Sequence, residues 1–150
     1  MTTETTEETP WVKKLRALQQ NPPPIARLIG FELVDLGAGF AVFTLVGDPS
    51  RHANPMGTMH GGVLADIGDA AMGFAMGSTL GEGESFTTIE LKANYFKPVW
   101  TARLRAEAKV VKRSRTLGYI ECDIVDEGKA LVCRLASTCM VLRGDAAAGR

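Results

Sequence analysis

A short run near the middle of the chain brings together residue types that can carry out acyl chemistry. His60-Gly61-Gly62 ends a turn-rich loop, and an apolar segment with two carboxylates, Asp66 and Asp69, follows it. If a helix begins here, its first N–H groups lack partners within the helix, and the helix dipole favours negative charge at that end. Glycine lets a ligand approach the backbone closely, so this end suits a developing oxyanion. The simpler interpretation is that the two glycines only make a tight turn.

The two aspartates stand out because their neighbours are apolar. A buried carboxylate without a partner is costly, and Asp is a poor helix former. Asp66 and Asp69 lie three residues apart, so on a helix they project about 60° from one another. Each is therefore either part of a reactive site or turned toward solvent or a salt-bridge partner, and the residues alone leave both assignments open.

Hydrophobic periodicity predicts the elements that position this segment. A short amphipathic helix is predicted from Trp11 to Gln20, and Pro22-Pro23-Pro24 ends it. The other predicted elements are strands at 31–36 and 40–46, a long buried helix at 61–77, and strands at 88–95, 103–110, 116–125 and 130–142. The many small residues of the long helix indicate close backbone packing. Strands joined in sequence by tight turns predict an antiparallel sheet with this helix on one face, an α+β fold.

Composition and charge limit the class of protein. The chain has 150 residues, 45% of them hydrophobic and 23% charged, which suits one globular domain. Since 17 basic residues balance 17 acidic ones, no global field draws the chain to nucleic acid or to an anionic membrane. The first ten residues do not resemble a secretory signal, and no apolar run reaches the roughly 18 residues of a membrane span. We expect a cytoplasmic protein with a disordered N-terminus (1–10), one domain (11–143) and a disordered tail (144–150).

Missing motifs make several kinds of site improbable. The sequence contains no G-x-S-x-G, no G-x-x-x-x-G-K-[ST] and no complete dinucleotide fingerprint. A metal site is not expected, because the chain has only two histidines, His52 and His60, and no H-E-x-x-H or suitably spaced cysteine pair. The three cysteines, Cys122, Cys133 and Cys139, are predicted to be reduced thiols of the core.

The run from Asn54 through His60-Gly61-Gly62 to Asp69, with Thr88 and Tyr95-x-x-Pro98, resembles the hotdog-fold acyl-CoA thioesterases of the phenylacetic acid degradation type. These enzymes lie in the 4-hydroxybenzoyl-CoA thioesterase superfamily, and the similarity covers about residues 28–142. The resemblance implies an antiparallel sheet wrapped around one long central helix. It also implies hydrolysis of an aromatic or a medium- to long-chain acyl-CoA to the free acid and coenzyme A. Coenzyme A is then part of the substrate, and no separate cofactor is expected.

The resemblance also implies a role for each matching residue. The Gly61 N–H and the Asn54 side chain would hold the oxyanion of the thioester carbonyl, and His60 would shape the loop and contact the substrate or Asn54. Asp69 would be the general base that activates water, or else the nucleophile. Thr88 would help to place that water, although regular strand alternation turns it away from the apolar row of its own strand.

A basic cluster formed by Lys112, Arg113 and Arg115, followed by Thr116, lies between two predicted strands. It is either a solvated hairpin end or a binding site for the phosphates of coenzyme A. Similar enzymes carry a basic residue before Thr-Leu at this place, which favours the binding site. Three apolar residues of the N-terminal segment either line an acyl tunnel or cap the sheet: Trp11, Leu15 and Leu28.

The spacing along the long helix indicates a site shared between subunits. Gly61 and Asp69 are eight residues apart, which is about 12 Å of helix. One thioester carbon needs both groups within about 3–3.5 Å of the reacting atoms. If the helix begins near Gly61, two antiparallel copies related by a two-fold axis would bring Gly61 of one chain to Asp69 of the other. The spacing therefore predicts a homodimer as the minimal active unit. We also expect the dimers to assemble into a homotetramer, and the protein to bind acyl-CoA and neither nucleic acid nor membrane.

Two other functions compete with thioester hydrolysis. A non-catalytic acyl-CoA sensor is the main alternative, since some hotdog proteins regulate transcription, but 150 residues leave no room for a DNA-binding domain. A hotdog dehydratase is disfavoured because its His/Asp or His/Glu arrangement is not visible. The identity of the acyl group stays open.

Overall fold

The computed structural model describes residues 8–150, and the predicted disorder of residues 1–7 lies outside them. The helices are α1 (Pro10–Gln20), α2 (Pro24–Ile29), α3 (Pro49–His52) and α4 (Gly61–Gly77). The strands are β1 (Glu32–Gly37), β2 (Phe40–Val46), β3 (Glu84–Tyr95), β4 (Arg103–Arg113), β5 (Leu117–Val125) and β6 (Leu131–Arg143). All neighbours in the sheet are antiparallel, in the order β1-β2-β4-β5-β6-β3. This is the predicted hotdog fold.

Helix α4 forms the centre of the core and contacts all six strands. It begins and ends at the predicted residues. Its backbone lies against β6 at Gly68, where a Cβ would lie 2.7 Å from Leu135 Cδ2, so no larger residue fits without a shift of the neighbouring side chain. The predicted close packing is thereby confirmed. The predicted core thiols are confirmed as well, because Cys122, Cys133 and Cys139 are free and buried.

The proline run both ends one helix and starts another. Helix α1 is capped by Thr9, whose hydroxyl accepts a hydrogen bond from the Val12 N–H. Pro23 is the N-cap of α2 and Pro24 its first residue, where proline is well accepted because no helical N–H is needed. The prolines were predicted only to end a helix, so α2 was not predicted.

The structure differs from the predicted disorder at both ends of the described chain. Helix α1 begins at Pro10, inside the segment expected to be disordered. At the other end, Gly144–Ala147 forms a 3-10 helix that packs against β3 and β6. The composition of this short segment did not indicate a helix that contacts the sheet.

Candidate active site

The start of α4 presents one free backbone donor. His60 is the N-cap, and its Nδ1 accepts a hydrogen bond of 2.8 Å from the Gly62 N–H. The Val63 N–H donates to the His60 carbonyl at 3.0 Å. Within residues 8–150 the Gly61 N–H has no hydrogen-bond acceptor. The cap thus leaves free the donor that was predicted to hold the oxyanion.

Tyr95, at the end of β3, holds the carbonyl group of Gly61. Its hydroxyl donates a hydrogen bond of 2.9 Å to the Gly61 carbonyl. A Cβ on Gly61 would lie 2.9 Å from the Tyr95 ring, so a larger residue there would displace the tyrosine. Tyr95 belongs to the family pattern in the sequence, but no role was predicted for it.

The loop before α4 is held by its own polar groups. Asn54 Oδ1 accepts hydrogen bonds from the Met56 and Thr58 N–H groups at 2.9 and 3.2 Å, and Asn54 Nδ2 donates to Thr58 Oγ1 at 2.8 Å. The Asn54 side chain therefore organises this loop, and its role as a second oxyanion donor stays a prediction.

The buried His52 links the loop to α2 by hydrogen bonds. No role was predicted for it from the sequence. His52 Nδ1 accepts the Asp48 N–H at 3.0 Å, so its Nε2 carries the proton and donates to the Ile29 carbonyl at 2.8 Å. The His52 carbonyl in turn accepts the His60 N–H at 2.7 Å. His52 thereby supports the residue that caps α4.

Asp66 and Asp69 occupy the face of α4 that turns away from the sheet core. Asp69 is exposed on the single chain, yet the protein around it still raises the pKa of its carboxyl by desolvation. Asp66 is half-buried; its Oδ2 is fully buried without a hydrogen-bond partner. Burial raises the pKa of Asp66, and the charge of Asp69 raises it further. Neither carboxylate has a cationic partner among the described residues.

A β-bulge corrects the expected orientation of Thr88. Strand β3 pairs Thr88 with Cys139 and Glu90 with Thr138, so Ile89 is an extra residue that shifts the alternation by one. Thr88 thus shares the helix side of the sheet with Leu91, and its hydroxyl lies 3.7 Å from Cys139 Sγ. The pKa of Cys139 is raised mainly by burial and also by the charge of Asp69. The Cys139 thiol therefore lies beside the Thr88 hydroxyl.

The basic cluster divides into one residue that is paired and two that are not. Arg113 Nη2 lies 2.9 Å from Glu84 Oε2, and Arg143 contacts the same carboxylate. Lys112 and Arg115 are exposed and make no ion pair with a described residue. Thr116 is exposed too, and its carbonyl accepts the Val141 N–H at 2.8 Å.

A cavity of about 660 Å³, here called the α2 cavity, opens beside the two aspartates. Its walls come from α1, α2, β1, β2 and α4, and they include Asp66, Asp69 and Ala70. Most of the other lining side chains are apolar, among them Leu18, Ile25, Phe31, Leu33, Phe43 and Phe74. The N-terminal residues predicted to line an acyl tunnel do not line this cavity: Leu15 is buried against α4, Trp11 packs on Phe86, and Leu28 is 67% exposed.

Among the described residues, no helix is long and apolar enough to cross a membrane. No group of three His, Cys, Asp or Glu side chains there is placed to hold a metal ion.

Comparison with known proteins identifies the family. The profile of the thioesterase superfamily matches residues 56–133, more than half of the chain. The matched segment includes His60-Gly61-Gly62, both aspartates and the whole of β3. The chain therefore belongs to the thioesterase superfamily.

Solved structures agree with this assignment. A thioesterase from Haemophilus influenzae is 25% identical, with a TM-score of 0.79 over 86% of this chain and 90% of the other. A conserved protein from Pseudomonas aeruginosa is 31% identical, with a TM-score of 0.77 over 84% and 99%. The PaaI protein of the E. coli phenylacetic acid degradation operon, at 20% identity, shows the same fold, with a TM-score of 0.81 over 91% and 97%. The predicted fold and family are confirmed.

Proposed function

We propose that this thioester hydrolase cleaves an acyl-CoA to the free acid and coenzyme A. The observation that carries the proposal is the free Gly61 N–H at the start of α4, on the same helix as a carboxylate with a raised pKa, Asp69. A free donor of this kind stabilises negative charge on a carbonyl oxygen, and one such donor is worth about 3 kcal/mol in the transition state.

The proposed reaction begins with a water molecule between Asp69 and the thioester. The Asp69 carboxylate takes a proton from this water as the water oxygen bonds to the carbonyl carbon. The carbonyl oxygen becomes negative and accepts a hydrogen bond from the Gly61 N–H. When the tetrahedral intermediate collapses, the carbon–sulfur bond breaks, and the thiolate takes the proton from Asp69. Thr88 is proposed to orient the water, and Asn54 and His60 to hold the loop around the carbonyl. Asp69 acting as the nucleophile is the alternative.

The site we propose requires two chains. Helix α4 begins at Gly61, so Asp69 lies about 12 Å along the same helix. Strand β3 is at the edge of the sheet, with 12 residues and exposed Ile89 and Tyr95. Long free edges are prone to pair with another chain. Antiparallel pairing of two β3 strands about a two-fold axis would make the α4 helices antiparallel and bring Gly61 of one chain to Asp69 of the other.

We further propose that the phosphates of coenzyme A contact Lys112 and Arg115. Both are exposed and free of ion pairs in the described chain, whereas Arg113 is held by Glu84. Arg113 therefore supports the hairpin that presents the other two residues, and Thr116 is proposed to contact the same phosphates. The homotetramer and the cytoplasm stay predictions.

The decisive experiment is a thiol-release assay on purified protein with a panel of acyl-CoAs. Release of coenzyme A at rates that rise with acyl-CoA concentration supports the hydrolase. Tight binding of acyl-CoA in calorimetry without thiol release would instead support the sensor. Light scattering on the same sample measures the oligomeric state, and an active monomer would contradict the shared site.

A further inference from the structure

The α2 cavity borders Asp69 but has no role in the reaction proposed above. It lies within one chain, between the pair of N-terminal helices and the exposed face of α4. Its volume of about 660 Å³ falls within the range of small-molecule pockets, about 300–1,000 Å³.

The cavity is continuous with the proposed reaction centre because Asp69 belongs to its wall. The carbonyl carbon of a bound thioester carries two substituents, the sulfur of coenzyme A and the acyl chain. With the carbonyl beside Asp69, one substituent can enter the α2 cavity. The acyl chain suits it better, since coenzyme A is long, polar and anionic and the walls are mainly apolar.

The charges of the wall limit which acyl groups can enter. Three carboxylates line the cavity, Glu32, Asp66 and Asp69, and no Lys or Arg side chain of the described residues does. Asp66 already has an oxygen buried without a donor. A second negative charge placed beside it would be repelled and desolvated without compensation.

We propose that the α2 cavity is the acyl subsite and that it takes uncharged, mainly apolar acyl groups larger than acetyl. The inference rests on the proposed function, because it assumes that a thioester is held at Asp69. Helix α2 supplies the outer wall, and Ala70 and Phe74 of α4 supply the inner one.

Two exposed positions on α2 offer a matched test. Ile25 lines the cavity and is 46% exposed, whereas Leu28 does not line it and is 67% exposed. A tryptophan at either position needs no repacking of the core. We expect Ile25→Trp to lower kcat/KM for decanoyl-CoA and phenylacetyl-CoA about tenfold relative to acetyl-CoA, because the loss of even one methylene contact in an apolar pocket changes kcat/KM by about tenfold or more. Leu28→Trp should leave these ratios at the wild-type value. Ala70→Phe, which narrows the cavity from α4, should act like Ile25→Trp.

The charge argument has its own matched pair of substrates. Hexanoyl-CoA and adipoyl-CoA have acyl chains of equal carbon number, and only the second ends in a carboxylate. We expect at least tenfold lower kcat/KM for adipoyl-CoA, and Asp66→Asn should narrow that gap. Equal turnover of the two substrates would overturn the restriction to uncharged groups.

Failure of this inference can be told from failure of the proposed function. If the wild type releases thiol but Ile25→Trp and Ala70→Phe leave the substrate ratios unchanged, the acyl subsite is elsewhere. If no acyl-CoA releases thiol, the hydrolase proposal fails, and calorimetric titration of decanoyl-CoA still decides the subsite. Weaker binding to Ile25→Trp but not to Leu28→Trp supports it, and equal binding to both variants overturns it.

Discussion

The carboxylates in the middle of α4 and the carboxylate at the start of β3 have opposite surroundings. Glu84 contacts Arg113 and Arg143 and accepts a hydrogen bond of 3.0 Å from the Gly81 N–H. The pKa of Glu84 is lowered, chiefly by this backbone hydrogen bond and also by the two arginines. Asp66 and Asp69 have no cation, and burial raises the pKa of both. The charged form of a carboxyl group is thus stabilised at Glu84 and destabilised at Asp66 and Asp69. Groups with perturbed pKa values concentrate at functional sites.

The sharpest way to break this comparison is to neutralise Asp69. We expect Asp69→Asn to lower kcat by about 10²- to 10⁴-fold, since the amide cannot take a proton from water. The fold should survive, because no hydrogen bond or ion pair of a described residue depends on the Asp69 side chain. Thiol release and circular dichroism measure the two effects. Wild-type activity in this variant would show that Asp69 is not the base.

Neutralising Glu84 should have the opposite consequence. Glu84→Ala removes both arginine contacts and leaves Arg113, which is 21% exposed, without its partner. We expect a loss of about 1–3 kcal/mol in the free energy of unfolding, measured by urea denaturation. Glu107→Ala is the control, because its pair with Arg105 is about half exposed, and such pairs contribute about 0–1 kcal/mol. Equal losses in the two variants would mean that Glu84 is not a structural ion-pair centre.

The pH dependence of catalysis sharpens the comparison further. The base must be ionised, so kcat/KM should fall as the pH drops through the raised pKa of Asp69. The acid limb of the profile should therefore lie at a higher pH than the ordinary pKa of an aspartate, which is about 3.9. Asp69→Glu should shift the acid limb of the kcat/KM profile, whereas Glu84→Ala should leave it unchanged. An acid limb at the ordinary aspartate value in the wild type would contradict the desolvation of Asp69.

The smallest expected effect is on stability at neutral pH. A carboxyl with a raised pKa in the folded state binds its proton more tightly folded than unfolded, so its contribution to stability is lost as pH rises through the folded pKa. Asp66→Asn removes that loss. We expect a gain of about 1 kcal/mol, or about 2–4 °C in Tm, at pH 7. The gain should vanish below the pKa of unfolded aspartate, and an equal gain at acid pH would assign it to packing instead.

Periodicity was enough to predict the main frame of the fold. The long apolar run after His60-Gly61-Gly62 gave both ends of α4, because the glycine turn and the loss of helical period mark them locally. The hairpin of strands at 31–36 and 40–46 followed from the glycines of its turn, and the strands at 88–95 and 103–110 followed from alternation. Helix α2 was missed because its six residues, which begin at Pro24 and end before Gly30, are too few to show a period.

The parts of the site that the sequence could not predict depend on long-range contacts. The orientation of Thr88 depends on the bulge at Ile89, which is defined only by the register with β6. The pairing of Arg113 depends on Glu84, 29 residues away along the chain. Local patterns cannot reveal which of several exposed-looking charges find a partner in three dimensions.

The hydrogen bond between the Tyr95 hydroxyl and the Gly61 carbonyl links two events that are usually separate. It joins an edge strand of the sheet to the residue whose N–H is the proposed donor. Any displacement of that strand therefore tilts the donor. If two subunits do meet along β3, assembly itself sets the angle of the catalytic N–H, and a dissociated chain would lose alignment as well as its neighbour's carboxylate.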